Sequence, residues 1–347
     1  MTKTSIEWTD ETWNPVTGCS KVSAGCKNCY AERIFQRPYP GRAFTDVRCH
    51  PERLDAPLRW RKPRMIFVNS MSDLFHEDVP DEFILKVFDV MRAATYEGGA
   101  GGGRIRHESG YSGHTFQVLT KRPERMRDFC SRLRFREALY LSPFGMPGFN
   151  PMTLMKNVWL GVSVEDQATA EARIPLLLQT PAAVRWISAE PLLQHINLCA
   201  IDLGDLYWLN ALTGHVHIMH DGGMPVAPTY SKLDWVVAGG ESGPHARPSH
   251  PDWFGSLCDQ CATADVPFFF KQWGEWAPTY VEPGGDLGAD MRSDRVRIVK
   301  PVGDNDGHFR RGDALMRRTG KKAAGRVLDG RTWGEYPLNI HPDASSA

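Results

Sequence analysis

The chain has 347 residues, of which 41% are hydrophobic and 24% charged, and its 41 basic residues balance 41 acidic ones. These proportions exclude a disordered chain, a collagen and a coiled coil, and the zero net charge excludes a globally basic nucleic-acid binder. No run of about 18 consecutive apolar residues occurs, so we expect no transmembrane helix. The N-terminal segment has no basic n-region followed by an apolar h-region, which predicts a cytoplasmic protein without a secretory signal.

Short apolar runs, rich in β-branched and aromatic residues, recur along the chain and predict six strands. They are MIFVNS (65–70), HTFQVLT (114–120), NVWLGVSV (157–164), VRWISA (184–189), LDWVVAGG (233–240) and VPFFFKQW (266–273). Helical patterns lie between several of them, at 81–94, 167–179 and 250–264. Strands that alternate with helices predict an α/β fold with a parallel sheet, either a barrel or a doubly wound sheet.

The domain organisation predicted from the sequence is one core domain with an appendage. The core domain covers 1–279, and the polar, Gly-rich and Asp-rich segment after it makes 280–347 a C-terminal appendage. Gly-rich, Pro-rich and hairpin-like stretches predict insertions into the core domain at 98–113, 130–155 and 200–232.

Each predicted strand runs into a cluster of polar or glycine residues at its carboxyl end. In a parallel barrel or doubly wound sheet these ends share one rim, where ligands bind. The clusters therefore predict one ligand site. Its candidate residues are Ser70, Ser72, Asp73, His76, Lys121, Arg122, Ser163, Glu165, Glu190, Gly239, Gly240, Glu241, Lys271, Gln272 and Trp273.

Three cysteines, Cys19, Cys26 and Cys29, form a C-x6-C-x2-C array near the N-terminus. Three local thiols suit a 4Fe–4S cluster with one iron left open for another ligand. A structural zinc site normally closes with four ligands, although zinc or free structural thiols remain alternatives. Cys258 and Cys261 share one face of a predicted helix, so we expect them to pack in the core.

The cysteine array resembles the cluster loop of radical S-adenosylmethionine (SAM) enzymes. That resemblance implies a partial (β/α) barrel, here of about six parallel strands, and an open iron that chelates SAM. Reductive cleavage of SAM would then give a 5′-deoxyadenosyl radical. Three features depart from the superfamily pattern. Its first cysteine spacing is commonly three rather than six, and an aromatic residue commonly precedes the last cysteine, where this chain has Asn28. Its Gly-Gly-Glu motif commonly follows the second strand, whereas Gly239-Gly240-Glu241 comes much later here.

A closer resemblance is to a phage- and prophage-associated family of three-cysteine-motif proteins similar to radical SAM enzymes. The segments that carry it are WNPVTGC, CKNCYAE, SMSDLFH, LTKRPERM, NVWLGVSVE, RWISAEPLL, WVVAGGESG, ARP, VPFFFKQWGEW and GRVLDGRTWGEYP. They cover most of 7–276 and 319–337. The resemblance implies a flavodoxin- or ferredoxin-like electron donor and specifies no substrate.

Under this interpretation the rim residues divide into three roles. Cofactor contacts are expected from Tyr30, Ser70, Ser72, Ser163, Glu165, Glu190, Gly239, Gly240 and Glu241, where the two strand-end glutamates would accept hydrogen bonds from ribose hydroxyls. The catalytic candidates are Asp73, His76, Lys121 and Lys271. The candidates for substrate binding are Arg122, Gln272 and Trp273. Helix capping, turn formation and core packing are the structural alternatives for these residues.

Two locally basic stretches favour a nucleic acid or nucleotide as the substrate. Residues 104–136 contain nine Lys and Arg against three acidic residues, and residues 309–331 contain eight against two. Such patches can contact phosphates, although solvated helix faces have the same composition. The alternatives are a radical SAM enzyme acting on a small metabolite or peptide, and a non-enzymatic zinc-binding module that docks on nucleic acid. No membrane partner is expected.

Overall fold

The computed structural model describes residues 4, 6–94, 113–141, 155–218, 225–226, 230–279, 295–301 and 311–337. Most of the predicted insertion at 98–113, the segment 142–154 of the second insertion and the turn of the predicted hairpin in the third lie outside the described residues.

A seven-stranded parallel sheet, curled into a half-barrel, forms the centre of the described fold. With strands numbered along the chain, its order is β1 (Glu11–Trp13), β4 (Met65–Val68), β5 (Thr115–Thr120), β6 (Val158–Ser163), β7 (Val184–Ala189), β12 (Trp235–Gly239) and β13 (Phe268–Gln272). The parallel sheet and all six predicted strands are confirmed. The expected number of about six is one short, because β1 has only three residues and shows no pattern of its own before it pairs with β4.

Helices follow most of the sheet strands. They are α1 (Tyr30–Phe35), α2 (Asp81–Ala93), α3 (Pro123–Leu141), α4 (Gln167–Gln179), α5 (Pro251–Thr263) and the short α6 (Lys321–Ala324). The three predicted helices correspond to α2, α4 and α5. Helix α3 extends through the first part of the predicted insertion at 130–155, which is therefore helical up to Leu141.

The two faces of the sheet bury different residues, because successive side chains of a strand point to opposite sides. One face packs on the helices: Phe116, Val118 and Leu160 share a buried cluster with Phe83 of α2 and Leu257 of α5. The other face lines the inside of the curl and carries an aromatic-rich cluster. That cluster comprises Trp8, Met65, Phe67, Trp159, Val184, Trp186, Trp235, Val237 and Phe269. Burial on both faces explains why these strands are apolar nearly throughout.

Three smaller sheets complete the described chain. The first pairs β2 (Val16–Thr17) with β3 (Arg48–Cys49), and the second has the antiparallel order β11 (Pro225–Val226), β10 (His215–Ile218), β9 (Tyr207–Asn210) and β8 (Ile201–Gly204). This second sheet occupies the predicted insertion at 200–232. The third has the order β14 (Trp276–Thr279), β16 (Ala314–Arg318) and β15 (Val296–Val299), so its first strand precedes the predicted boundary at 279.

The last described segment returns to the central sheet. The indole N–H of Trp235 donates to the Glu335 carbonyl at 2.8 Å, and the Tyr336 ring stacks on Trp235 with centroids 5.3 Å apart. In the described residues no helix is long and apolar enough to cross a membrane.

Candidate functional site

The cysteine loop follows β1 and lies at the carboxyl ends of the sheet strands. Gly18 begins it with a φ of +93°, and a Cβ at this position would lie 2.5 Å from the Asp46 carbonyl oxygen, so only glycine fits. The Cys19 amide donates to the Phe44 carbonyl at 2.8 Å. Cys26 ends a short 3-10 turn, and Cys29 directly precedes α1. One segment of eleven residues, 19–29, therefore carries all three cysteines.

A cavity of about 410 Å³ lies beneath this loop, and all three thiol-bearing residues line it. The rim residues predicted from the sequence that also line it are Tyr30, Ser70, Ser72, Asp73, Lys121, Arg122, Ser163, Glu190, Gly240, Glu241, Lys271 and Gln272. The structure thus brings twelve predicted residues and the cysteine loop to one cavity. His76, Glu165, Gly239 and Trp273 are not among its lining residues. Its deeper wall is apolar and includes Ile6, Trp8, Phe67 and Leu119.

Cys19 lies beside a guanidinium group. The Nη1 of Arg122 lies 3.7 Å from Cys19 Sγ, and its Nη2 donates to Ser20 Oγ at 2.7 Å. The same guanidinium pairs with Asp73 at 3.2 Å. Burial and the Asp73 carboxylate raise the pKa of Cys19 to about 12, against an opposing effect of Arg122. The Cys19 sulfur is therefore held in a protected site that already contains a cation.

Asp73 and His76 have structural contacts at the end of β4. Asp73 accepts hydrogen bonds from Thr120 Oγ1 at 2.7 Å and from the Lys121 amide at 3.0 Å, which joins the ends of β4 and β5. His76 is 2% exposed, and its Nδ1 accepts the Asp78 amide while Nε2 contacts Ser20 Oγ at 2.8 Å. Because a backbone amide only donates, Nε2 must carry the proton and donate to Ser20. Burial lowers the pKa of His76, so the neutral form is favoured.

Glu165 is fully buried and contacts the cysteine loop. Its Oε1 accepts a hydrogen bond from Ser23 Oγ at 3.0 Å, and a Cβ on Gly25 would lie 2.5 Å from that carboxylate. Lys121 forms an ion pair with the same oxygen, and Arg173 of α4 lies 3.1 Å from Oε2. Both oxygens are therefore occupied by protein donors. Glu165 therefore contacts Ser23 of the cysteine loop, and its interaction with a ribose stays a prediction.

Glu241 contacts the other side of the cysteine loop. It forms an ion pair with Arg247 at 2.6 Å and accepts a hydrogen bond from Asn28 Nδ2 at 3.0 Å. Arg247 also donates to the Ala24 carbonyl at 3.0 Å. Burial opposes ionisation of Glu241, but the hydrogen bonds from Arg247 and Asn28 outweigh it and keep its pKa below the usual value. Two carboxylates at different strand ends thus hold one loop.

Glu190 remains open to the cavity. Its carboxylate is 20% exposed and accepts from Lys271 Nζ at 2.8 and 2.9 Å and from Gln272 Nε2 at 3.3 Å. Elsewhere in the cavity lining, the Tyr30 hydroxyl donates to the Ser70 carbonyl at 2.6 Å. Glu190 and Lys271 therefore form a charged pair that a bound ligand can contact.

The glycines after β12 and the tryptophan after β13 pack against protein. A Cβ on Gly240 would lie 2.0 Å from the Trp273 carbonyl oxygen, and one on Gly239 would lie 3.3 Å from the Glu190 carboxyl carbon. Trp273 donates its indole N–H to the Val327 carbonyl at 2.8 Å, and its ring packs on Phe254 and Phe270. At Gly240 the absence of a side chain therefore lets two chain segments, those of Gly240 and Trp273, approach each other closely.

Four residues that contact the rim carboxylates Glu165 and Glu241 were not predicted from the sequence. Ser23 and Asn28 lie inside the cysteine loop and look like ordinary loop residues, while Arg173 is one basic residue of a helical pattern. Arg247 follows the glycine-rich segment after β12 and lies in the ARP motif. That motif could have marked Arg247 as a candidate site residue. The Cys258 and Cys261 side chains are buried in the helix-side core, as predicted.

The chemistry of the cysteine loop is that of thiol ligands at a protected cavity. Among the described residues, no group of three or more His, Cys, Asp or Glu side chains is arranged to hold a metal ion. The three thiols nevertheless border one cavity, and burial raises the pKa of Cys29 as it does that of Cys19. Thiolates in such a site need positive charge to be stable, either from a metal centre or from neighbouring cations.

Comparison with known proteins identifies a family for the chain. A family model described as "Protein of unknown function (DUF5131)" matches residues 3–98 and 105–337. No curated protein matches the chain, and no solved structure does. Because the matched residues make up most of the 347, the chain belongs to the DUF5131 family.

Proposed function

We propose that this protein is a radical SAM enzyme whose 4Fe–4S cluster is held by Cys19, Cys26 and Cys29. The observation that carries the proposal is that one loop at the carboxyl rim of a curled parallel sheet brings all three cysteines to one cavity. In parallel barrels this rim is where catalytic and cofactor-binding groups lie. The resemblance of the array to radical SAM cluster loops supports the same assignment.

The donor set favours an iron–sulfur cluster over zinc. A structural zinc ion draws four ligands to one point, whereas a four-iron cluster is a larger body whose thiolates bind at separate corners. Three cysteines that line one cavity agree with the second arrangement, since they are one fewer than a closed zinc site needs. Three protein ligands also leave the fourth iron for an external ligand.

Cys19, Cys26 and Cys29 would hold the cluster, which when reduced would supply the one electron needed to cleave the C5′–S bond of SAM into methionine and a 5′-deoxyadenosyl radical. The residues of the chain bind and orient SAM. Glu190, on the open side of the cavity, accepts hydrogen bonds from the ribose hydroxyls, and Lys271, at 2.8 Å, holds that carboxylate in place. The apolar wall that contains Trp8, Phe67 and Leu119 excludes water from the radical.

The proposed substrate is a nucleic acid or nucleotide. Arg33 and Lys321 line the cavity, and Lys321 comes from the basic stretch at 309–331. Arg318 of the same stretch contacts the Pro244 carbonyl next to the glycine-rich segment. Part of that stretch thus lies at the cavity, where cations favour a phosphate-bearing ligand. An electron donor of the flavodoxin or ferredoxin type would reduce the cluster, as the resemblance implies.

Iron and sulfide counts on cysteine variants test the proposal. Anaerobically reconstituted parent protein should be brown and contain about four irons per chain. Cys19→Ala, Cys26→Ala and Cys29→Ala should each lose the cluster, while Cys258→Ala and Cys261→Ala, which change buried thiols outside the cavity, should keep it. Full iron in the loop variants, or a colourless parent that binds zinc, would reject the assignment and favour the zinc-binding module.

A further inference from the structure

We propose that Arg122 is a positioning residue that raises the reduction potential of the cluster, an inference that rests on the proposed function. Its guanidinium group contacts a cysteine of the loop, with Nη1 at 3.7 Å from Cys19 Sγ. The side chain is 11% exposed, so water screens its charge only weakly. Hydrogen bonds and charge at the sulfur atoms are among the determinants of cluster potentials.

The position of the guanidinium is fixed by several partners. Its Nη2 donates to Ser20 Oγ at 2.7 Å, and its Nε donates to Glu77 at 2.9 Å. The Asp73 carboxylate, 3.2 Å from Nη1, is itself held by Thr120 and by the Phe75 amide. A side chain held at every nitrogen cannot swing away when the charge on the neighbouring sulfur changes.

A second set of contacts holds Ser20, the residue that follows Cys19. Ser20 Oγ lies between Arg122 Nη2 and the buried His76, whose Nε2 is 2.8 Å from it. His76 in turn accepts the Asp78 amide, which fixes its tautomer. The chain thus uses a buried neutral histidine and a serine to keep the guanidinium beside Cys19. These contacts give the strand-end residues His76 and Asp73 a role without contact to substrate.

The direction of the effect follows from charge. Reduction adds one negative charge to a cluster that its three thiolates already make electron-rich, and a fixed cation nearby stabilises the reduced form. Two carboxylates on the same guanidinium, Asp73 and Glu77, offset part of its charge. Removing the cation should therefore lower the potential moderately and leave the ligands in place.

Potentiometric titration of reconstituted protein, followed by electron paramagnetic resonance, tests the inference. In Arg122→Met we expect roughly tenfold less reduced cluster at a fixed potential, which corresponds to a shift of about 59 mV to more negative values for one electron. Arg122→Lys keeps the charge and should stay close to the parent. The matched control is Arg132→Met on the same helix, whose side chain is 63% exposed and pairs with Asp81; its potential should be unchanged.

The outcomes separate this inference from the proposed function. An iron-free parent rejects both. An iron-loaded Arg122→Met protein with the potential of the parent rejects the role of Arg122 alone. If Arg122→Met loses its cluster, Arg122→Gln decides, because it removes the charge and keeps an amide that can still donate to Ser20 or Asp73. A lower potential in Arg122→Gln supports the inference, and an unchanged one contradicts it.

Discussion

Removal of the Glu241 carboxylate should detach one side of the cysteine loop. Glu241 Oε2 accepts three hydrogen bonds, from Arg247 Nε at 2.9 Å, the Arg247 amide at 2.7 Å and Asn28 Nδ2 at 3.0 Å. Breaking a buried ion pair costs about 3–5 kcal/mol, and the 29% exposure of Arg247 lowers that to about 2–4 kcal/mol. Glu241→Ala should lose about this much free energy of unfolding and take up less iron, because Asn28 lies between two of the cysteines.

Urea denaturation and iron counts on the same preparations measure both effects. Glu241→Gln should be milder, since the amide oxygen can still accept from Asn28. The matched control is Glu32→Ala, which removes a 40% exposed partner of Lys21 next to the same loop and should cost less than about 1 kcal/mol. The reasoning is refuted if Glu241→Ala is as stable and as iron-rich as Glu32→Ala but no longer binds SAM. Glu241 would then be the cofactor ligand that the sequence predicted.

Three further predictions concern the cavity and the sheet. Glu190→Ala should weaken SAM binding roughly 10- to 100-fold in calorimetric titration, the effect of losing a charged hydrogen bond worth about 1.5–3 kcal/mol, and should keep its cluster. In denaturation experiments Gly240→Ala should destabilise the protein by about 1–3 kcal/mol, because its Cβ would meet the Trp273 carbonyl oxygen at 2.0 Å. The control is Gly255→Ala in α5, which should be neutral or stabilising because its nearest contact is at 4.0 Å. Double neutralisation of Arg311 and Lys322 should flatten the salt dependence of nucleic-acid binding; an unaltered slope would favour a small-molecule substrate.

The sequence predicted the sheet and its rim because both depend on local patterns. Apolar runs ending in polar clusters predict parallel strands and a shared carboxyl edge, and twelve of the predicted rim residues do line one cavity. The exception among the strands of the seven-stranded sheet is β1, whose three residues become a strand only through pairing with β4. Pairing with a partner more than fifty residues away leaves no local signal.

The roles within the site could not be predicted in the same way, because they depend on contacts distant in sequence. Glu165 and Glu190 both end strands and look alike in sequence, yet one is fully buried against Ser23 and the other is open to the cavity. The difference arises from Arg173, which reaches Glu165 from the following helix, and from Lys271, which reaches Glu190 from a strand 81 residues away. Glu241 likewise meets Asn28 across 213 residues.

Formation of 5′-deoxyadenosine tests the proposed function most directly. Reconstituted protein should be incubated anaerobically with SAM and dithionite, and the products separated by chromatography. We expect 5′-deoxyadenosine and methionine in equal amounts, with none from Cys26→Ala protein treated identically. Iron-loaded parent protein that binds SAM and yields no 5′-deoxyadenosine would contradict the assignment to radical SAM chemistry.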